Sequence, residues 1–181
     1  MKFSKASTFL ISVLAGIAIT VSYYWVTRSY SWKIIHKVDN TGIYLTDQIR
    51  PSDFRQITRL HIATIVDMRP DGEARDQISS QNVEELSQQQ GIMFSYIPVP
   101  HGDIPSSDVD KLSSVLSNGK RPILLYCRTG KRAIRTFCLA EASRKEGHNE
   151  EELVRIARES GFSIDDIHEK LKRRIEARKS K

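Results

Sequence analysis

The group in this chain best suited to covalent chemistry is a cysteine at the end of a predicted strand. Cys127 follows an apolar, β-prone run over residues 122–126, and a helical stretch over 133–146 begins a few residues later. At such a strand-to-helix turn, backbone N–H groups and the helix N-terminus converge on the sulfur. The pattern predicts that Cys127 is a reactive nucleophile.

The loop after this cysteine also has the composition of an anion cradle. Its three cations favour the thiolate over the thiol. A cysteine that only fills space in the core is the alternative, because cysteine is often buried. Such a cysteine would gain nothing from neighbouring cations. The residues expected to hold an oxyanion are Arg128, Thr129, Gly130 and Lys131, with Arg132 as the closing arginine.

The second cysteine has a different setting. Cys138 lies at helical spacing from Ile134 and Ala142, which predicts packing in the core. A resolving thiol is the alternative role. Two cysteines, one of them in a reactive context, do not indicate a disulfide framework.

Apolar runs and helical patterns alternate along the chain, and this rhythm predicts an α/β fold. The sheet should be mostly parallel and flanked by helices, so that the carboxyl ends of its strands form one ligand-binding rim. Cys127, the segment 67–69 and the loop 101–103 all follow such strand ends. The predicted strands cover residues 42–46, 63–68, 93–99 and 122–126. The predicted helices cover 51–60, 81–90, 108–116, 133–146, 150–160 and 164 onward, the last capped by Ser163 with Asp166.

An uncharged segment precedes this domain. Residues 6–27 would form a helix about 33 Å long, enough to cross a bilayer. Tyr23, Tyr24 and Trp25 stand where an interfacial aromatic belt belongs. A cleaved signal peptide is the alternative, but no convincing small-x-small cleavage site ends the segment. The predicted organisation is a basic N-terminus (1–5), a single-pass membrane helix (6–27), a linker (28–37) and the α/β domain (38–181).

The charge and composition of the chain limit the classes of binding partner that the sequence indicates. The net charge of +6 is concentrated in a basic C-terminal helix, expected to be a solvated helix end or a weak contact with anionic lipid. Nothing in the sequence indicates nucleic-acid binding. The five histidines have no ligand spacing and the sequence has no Gly-rich nucleotide loop, so neither a metal nor a cofactor is predicted.

The length of the loop separates two chemistries. A cysteine phosphatase places its arginine six residues after the cysteine, whereas Arg132 comes one residue earlier and Ala133 takes that position. The shorter loop resembles that of rhodaneses, where it stabilises a persulfide. The segment 67–69 followed by Glu73 also resembles a rhodanese segment. The stretch that should follow it in a rhodanese is absent.

Residues 38–171 resemble the phosphatase-like domain of beta-lactamase-hydrolase-like proteins, whose members are also labelled sulfur transferases. The resemblance implies a protein-tyrosine-phosphatase-like α/β fold and a cysteine nucleophile. The typical loop of the family has Ser after the last Arg, where this chain has Ala133. The segments that carry the resemblance are 65–73, 96–99, 126–132 and 156–162.

A phosphatase also needs an acid that protonates the leaving oxygen. Asp103 follows the predicted strand 93–99, at a position that resembles the one where phosphatases of this superfamily carry their acid. A plain turn residue is an equal alternative, and His101 and Asp108 are other candidates. Two further expectations concern residues 67–73. An ion pair with Arg69 is expected for Asp67, with an acid role as the alternative, and turn or cap roles are expected for Asp71 and Glu73.

The sequence thus predicts a membrane-anchored hydrolase of phosphate esters with Cys127, Arg132 and Asp103 as catalytic residues. The alternative is a rhodanese-like sulfurtransferase that forms a persulfide on Cys127 from a sulfur donor. A third hypothesis is a non-catalytic domain that binds an anion or senses oxidation.

Overall fold

The computed structural model describes residues 16, 17, 20, 35–38 and 40–179. The chain divides into two units, Met1–Lys33 and Ile34–Lys181. The predicted membrane helix over 6–27 lies outside the described residues except at positions 16, 17 and 20, which are helical. Within the described ranges, no helix has the length and apolar character needed to span a bilayer.

Five strands form the sheet of the second unit, in the order β1-β2-β5-β3-β4. The bounds are His36–Lys37 (β1), Ile43–Thr46 (β2), Thr64–Asp67 (β3), Met93–Tyr96 (β4) and Ile123–Tyr126 (β5). The pairs β2–β5, β5–β3 and β3–β4 are parallel, and β1 is antiparallel to β2. The mostly parallel sheet predicted from the sequence is confirmed.

The two central strands are buried on both faces, which explains their continuous apolar runs. Alternate side chains of β3 and β5 enter two separate cores. Ile65 and Leu124 pack with Phe54 and Val83 on one face. Val66 and Leu125 belong to the larger core on the other face.

The helices divide between these two faces. Helices α1 and α2 contribute to the smaller core, whereas α3, α4, α5 and α6 contribute to the larger one. The bounds are Phe54–Arg59 (α1, preceded by a 3-10 turn at Pro51–Asp53), Ser80–Gln89 (α2), Ser106–Asn118 (α3), Lys131–Ser143 (α4), Glu150–Glu159 (α5) and His168–Lys179 (α6, preceded by a 3-10 turn at Asp165–Ile167).

The predicted linker over 28–37 needs a correction at its end. His36 and Lys37 pair with Leu45 and Tyr44, so the folded domain begins before residue 38. Both residues of β1 are exposed polar residues, which give no hydrophobic pattern. Their strand conformation depends on the neighbouring edge of β2.

Among the other element ends that differ from the prediction, two have a clear local cause. The strand predicted over 93–99 ends at Tyr96, because Pro98 has no N–H to donate to the ladder. Ile97 and Val99 still donate to the carbonyls of Asp67 and Met68. At the last helix, Ser163 bonds with Asp165 instead of forming the predicted box with Asp166.

The basic C-terminal helix is more than a solvated helix end. Arg174 donates to the hydroxyls of Ser143 and Ser106, at 2.8 and 3.0 Å. Arg178 donates to the carbonyls of Glu141 and Arg144. Part of the positive charge of α6 therefore ties this helix to α3 and α4.

Candidate active site

The strand register places four side chains in one row across the carboxyl end of the sheet. Thr46 pairs with Tyr126, Tyr126 with Asp67, and Asp67 with Tyr96. Cys127 comes directly after this row, and the Met68 amide donates to the Tyr126 carbonyl at 2.9 Å. The structure therefore brings the segments after β3 and β5 to one rim, as predicted.

Cys127 lies at the bottom of the loop that opens α4. It is 1% exposed, and the Gly130 amide donates to its Sγ at 3.2 Å. Gly130 has φ of +90°, a left-handed conformation that L side chains rarely adopt. This conformation turns the chain into α4 and aims the amide at the sulfur.

Phe162 limits the space around that glycine. A Cβ at position 130 would lie 3.1 Å from Cζ of Phe162 and 3.6 Å from the carbonyl oxygen of Thr46. The loop is therefore held between the end of β2 and the turn that follows α5. The positive φ favours glycine here, and a larger residue would also have to displace the ring of Phe162 slightly.

The other predicted cradle residues surround the cysteine on the same short loop. Arg128 is exposed, and its carbonyl accepts a hydrogen bond from the Gln48 amide at 3.3 Å. Thr129 Oγ1 accepts the Lys131 amide at 3.4 Å. Arg128, Thr129 and Lys131 all face solvent, where an incoming anion could meet them.

Arg132 has a different environment from the one expected of a phosphate clamp. Its Nη1 donates to Glu73 Oε1 at 2.6 Å and to the Val99 carbonyl at 2.7 Å, and its Nη2 donates to Glu73 Oε2 at 2.7 Å. Burial opposes its charge, but the bonds to Glu73 and the adjacent Cys127 sulfur raise the pKa of Arg132 above its usual value. Arg132 thus lies beside the sulfur with its fork directed at a carboxylate.

Glu73 is the residue of this site that the sequence analysis missed. It accepts a further bond from Arg69 Nε at 3.1 Å and lies 3.3 Å from His101 Nε2. Burial works against its charge, yet the bonds from Arg132 and Arg69 lower the pKa of Glu73. A turn role was predicted for Glu73. Its position at the end of the resembling segment 65–73 was the one signal that pointed further.

The predicted pair of Asp67 and Arg69 takes another form. The backbone amide of Arg69 donates to Asp67 Oδ1 at 2.9 Å, whereas its guanidinium binds Glu73 and the Gln48 side chain, the latter at 2.8 Å. Burial raises the pKa of Asp67 to about 6, only partly opposed by the Tyr126 hydroxyl and the Arg69 amide. Asp71 accepts bonds from the amide and hydroxyl of Ser80 at the start of α2, so its cap role is confirmed.

The three acid candidates have distinct surroundings. The Asp103 carboxylate, 80% exposed, accepts the Ile104 amide at 3.0 Å and pairs with Lys170 of α6. His101 reaches Glu73 and so lies at the rim of the site. Asp108 is buried in the first turn of α3 and binds Lys111 at 3.0 Å. The structure therefore brings His101 to the arginine cluster and holds Asp103 on Lys170.

Cys138 is buried in the larger core, as predicted. Burial and the nearby Glu141 raise the pKa of the Cys138 thiol to about 12. Both cysteines are free. In the part of the chain that the structure describes, no group of three His, Cys, Asp or Glu side chains could hold a metal ion.

Comparison with known proteins gives this arrangement its class. The fold and the loop at Cys127 define a phosphatase-like α/β domain. The model of the family described as "Beta-lactamase hydrolase-like protein, phosphatase-like domain" matches residues 38–144, more than half of the chain. The chain belongs to this family.

One curated protein and two solved structures illustrate the relationship. The Beta-lactamase hydrolase-like protein of Xylella fastidiosa is 22% identical over 102 residues, which are 56% of this chain and 24% of that protein. A candidate phosphatase from Neisseria meningitidis is 31% identical with a TM-score of 0.65, and the match covers 75% of this chain and 94% of that one. Tk-PTP in its active form shares the fold at 13% identity with a TM-score of 0.59, and the match covers 82% of this chain and 99% of that one.

The chain spans about a quarter of the length of the curated relatives it matches. The comparisons therefore support a phosphatase-like hydrolase domain. They concern only the matched part of the longer proteins and not the activity of those proteins as a whole. The site itself offers a sulfur that accepts an amide bond, exposed cations beside it, and an arginine that a carboxylate holds in place.

Proposed function

We propose that this domain is a cysteine-dependent hydrolase of phosphate esters, with Cys127 as the nucleophile. The observation that carries the proposal is the bond from the Gly130 amide to Cys127 Sγ at the start of α4, beside Arg132. Backbone amides and a helix N-terminus in this arrangement bind anions and activate thiolates. Membership of the phosphatase-like family supports the choice of phosphate as the anion.

The reaction would proceed in two displacements. The Cys127 thiolate attacks phosphorus, an S–P bond forms, and the P–O bond to the alcohol breaks as that oxygen takes a proton. Water then attacks the thiophosphate, which returns the thiolate and releases inorganic phosphate. The amides of the loop and the cations Arg128 and Lys131 would stabilise the charge on the phosphoryl oxygens.

Arg132 contributes to this scheme in a restricted way. Its Nη1 and Nη2 are already bonded to Glu73 and Val99, so a bidentate clamp on phosphate would require Glu73 to move. With Glu73 in place, Arg132 supplies positive potential beside the sulfur. The backbone amides of the loop would then make the main polar contacts with the substrate.

The proton donor is proposed to come from the loop after β4. Asp103 is the donor predicted from the sequence, and it would have to leave Lys170 in order to act. His101 already contacts the Glu73 carboxylate at the site. This contact favours His101.

One observation favours sulfur transfer as a second candidate function. A persulfide needs positive potential near the sulfur but no bidentate fork. Arg132 can supply this potential while its fork remains bound to Glu73. The sulfane sulfur of a donor such as thiosulfate would bond to the Cys127 thiolate and release sulfite. Cyanide would then remove this sulfur as thiocyanate and restore the thiolate.

A side-by-side assay decides between the two chemistries. The full chain is tested with an aryl phosphate and with thiosulfate plus cyanide, and each assay is repeated with Cys127→Ser and with Cys138→Ser as the matched control. We expect phosphate release that Cys127→Ser abolishes and Cys138→Ser preserves. Thiocyanate without phosphate would establish the sulfurtransferase, and no product in either assay would leave the anion-binding hypothesis.

We further propose that residues 6–27 anchor the domain to a membrane. The support is the uncharged length of the segment and its terminal aromatic residues. Fractionation of cells that express the full chain tests this proposal. An anchored chain stays with the membrane in high salt and leaves it only with detergent.

A further inference from the structure

A charged cavity adjoins the loop of Cys127. It has a volume of about 330 Å³ and lies between the segment after β2, the loop from β3 to α2, and Arg128. Arg50, Arg69 and Arg128 line it, together with one carboxylate, that of Asp76. Apolar side chains, Ile49 and Ile78 among them, complete its walls.

The guanidinium groups that line this cavity have N–H donors without a partner among the described residues. The side chains of Arg50 and Arg128 make no hydrogen bond or ion pair with any residue that the structure describes. Arg69 uses Nε and Nη1 on Glu73 and Gln48, and its Nη2 makes no bond to a described residue. Asp76 forms no ion pair with these arginines in the described part of the chain.

Two arginines of the cavity connect it to the candidate site. Arg128 directly follows Cys127, and Arg69 shares the Glu73 carboxylate with Arg132. A molecule whose phosphoryl group lies on the Cys127 loop could therefore extend into the cavity past Arg128. Guanidinium forks suit oxyanions, and three of them line the cavity, against the carboxylate of Asp76 and that of Glu73, which binds Arg69. This excess of positive charge favours an anionic ligand.

We propose that this cavity binds a second phosphoryl group of the substrate, so that the domain prefers phosphate esters with two phosphoryl groups over simple monoesters. This inference rests on the proposed function for the place of the first phosphoryl group. The cavity itself requires only that an anion bind. The short apolar walls suit the carbon linker between the two groups.

The test compares two probes that differ by one phosphoryl group, propyl phosphate and 1,3-propanediol bisphosphate. Their binding to the full chain with Cys127→Ser is measured by calorimetry, so that no turnover occurs. We expect the bisphosphate to bind at least about tenfold more tightly, because its second phosphoryl group forms charge-assisted hydrogen bonds that propyl phosphate lacks. Equal affinities for the two probes would overturn the proposal.

Three further substitutions locate the effect. Arg50→Ala should weaken the bisphosphate by about tenfold and propyl phosphate by much less. Arg75→Ala is the matched control, because Arg75 is an exposed arginine of the same β3–α2 loop that does not line the cavity. Asp76→Asn should tighten the bisphosphate, a gain that a misfolded variant cannot produce. Equal losses from Arg50→Ala and Arg75→Ala would reduce the effect to net charge and refute the cavity.

A carboxylate could also occupy the cavity. A third probe, 3-(phosphonooxy)propionate, distinguishes a carboxylate ligand from a phosphoryl ligand, because it carries a carboxylate in place of the second phosphoryl group. Binding of this probe as tight as that of the bisphosphate would overturn the preference for a phosphoryl group. Failure of the proposed function has a different signature. The domain would then release no phosphate from either ester, while the difference in binding between the two phosphate probes would persist.

Discussion

Glu73 holds Arg132 through two nearly parallel hydrogen bonds, Oε1 to Nη1 at 2.6 Å and Oε2 to Nη2 at 2.7 Å. The side chains are only 13% and 7% exposed, so water screens the pair little. An arginine in a phosphatase-like loop is thereby already bound to a carboxylate of its own chain. The geometry of the site depends on this pair.

Glu73→Gln should therefore cost stability. The substitution leaves the buried Arg132 without its counter-charge, and we expect the free energy of unfolding to fall by roughly 3 kcal/mol. Denaturant unfolding measures it, with the exposed Glu84→Gln on α2 as control. Because the pair lowers the pKa of Glu73 below its usual 4.5, the loss should be complete above pH 4.5 and should shrink as the pH falls below it through the lowered pKa of the folded state. A loss equal to that of Glu84→Gln would contradict the structural role of the pair.

The proton donor can be identified from its dependence on the leaving group. His101→Gln should lower turnover of an alkyl phosphate by on the order of 10²-fold and that of an activated aryl phosphate clearly less. Asp103→Asn should change both rates little if Asp103 stays on Lys170. Steady-state kinetics with the two esters measures this. The reverse pattern would restore Asp103 as the acid.

The two cysteines should react at very different rates. Near neutral pH, alkylation should be at least about tenfold faster at Cys127 than at Cys138, whose thiol pKa burial raises to about 12. Mass spectrometry of chain labelled with iodoacetamide follows both sites. Added phosphate should slow only Cys127. Equally slow labelling of both thiols would place Cys127 among the structural cysteines.

Asp67 should make stability depend on pH. Burial raises its pKa from 3.8 to about 6, so the folded state holds a proton that the unfolded state has lost between these values. The stabilisation is complete below the lower value and is lost as the pH rises through about 6. Relative to Asp67→Asn, the wild type should therefore lose on the order of 3 kcal/mol across this range. Denaturant titrations of both proteins measure the difference, and a constant offset would refute the shift.

Part of this architecture follows from local sequence. The strands β3 and β5 are apolar runs between loop signals, and their alternation with helices predicts a parallel sheet. Parallel strands bring their carboxyl ends to one edge of the sheet, so the proximity of Cys127 and Asp67 could be predicted from the sequence alone. The core position of Cys138 followed from helical spacing alone.

The contacts of Glu73 could not be found in the same way. Its partner Arg132 is 59 residues away in the chain, and the Pro-Asp-Gly-Glu segment reads locally as a turn. This pairing depends on where the β3–α2 loop meets the first turn of α4, and such a contact produces no periodic pattern in the local sequence. For the same reason, the sequence could not show whether His101 or Asp103 reaches the site. Both residues lie on one loop, and the path of that loop in the fold decides which side chain contacts the site.

Phe162 sets a limit on how this loop could evolve. Its ring and the Thr46 carbonyl lie close to Gly130, so a Cβ at position 130 would press against the ring at 3.1 Å. Replacement of this glycine by a larger residue is therefore expected to need a smaller residue at position 162 as well. Among natural relatives, the residue at the loop position of Gly130 and the side-chain size at this distant position should covary.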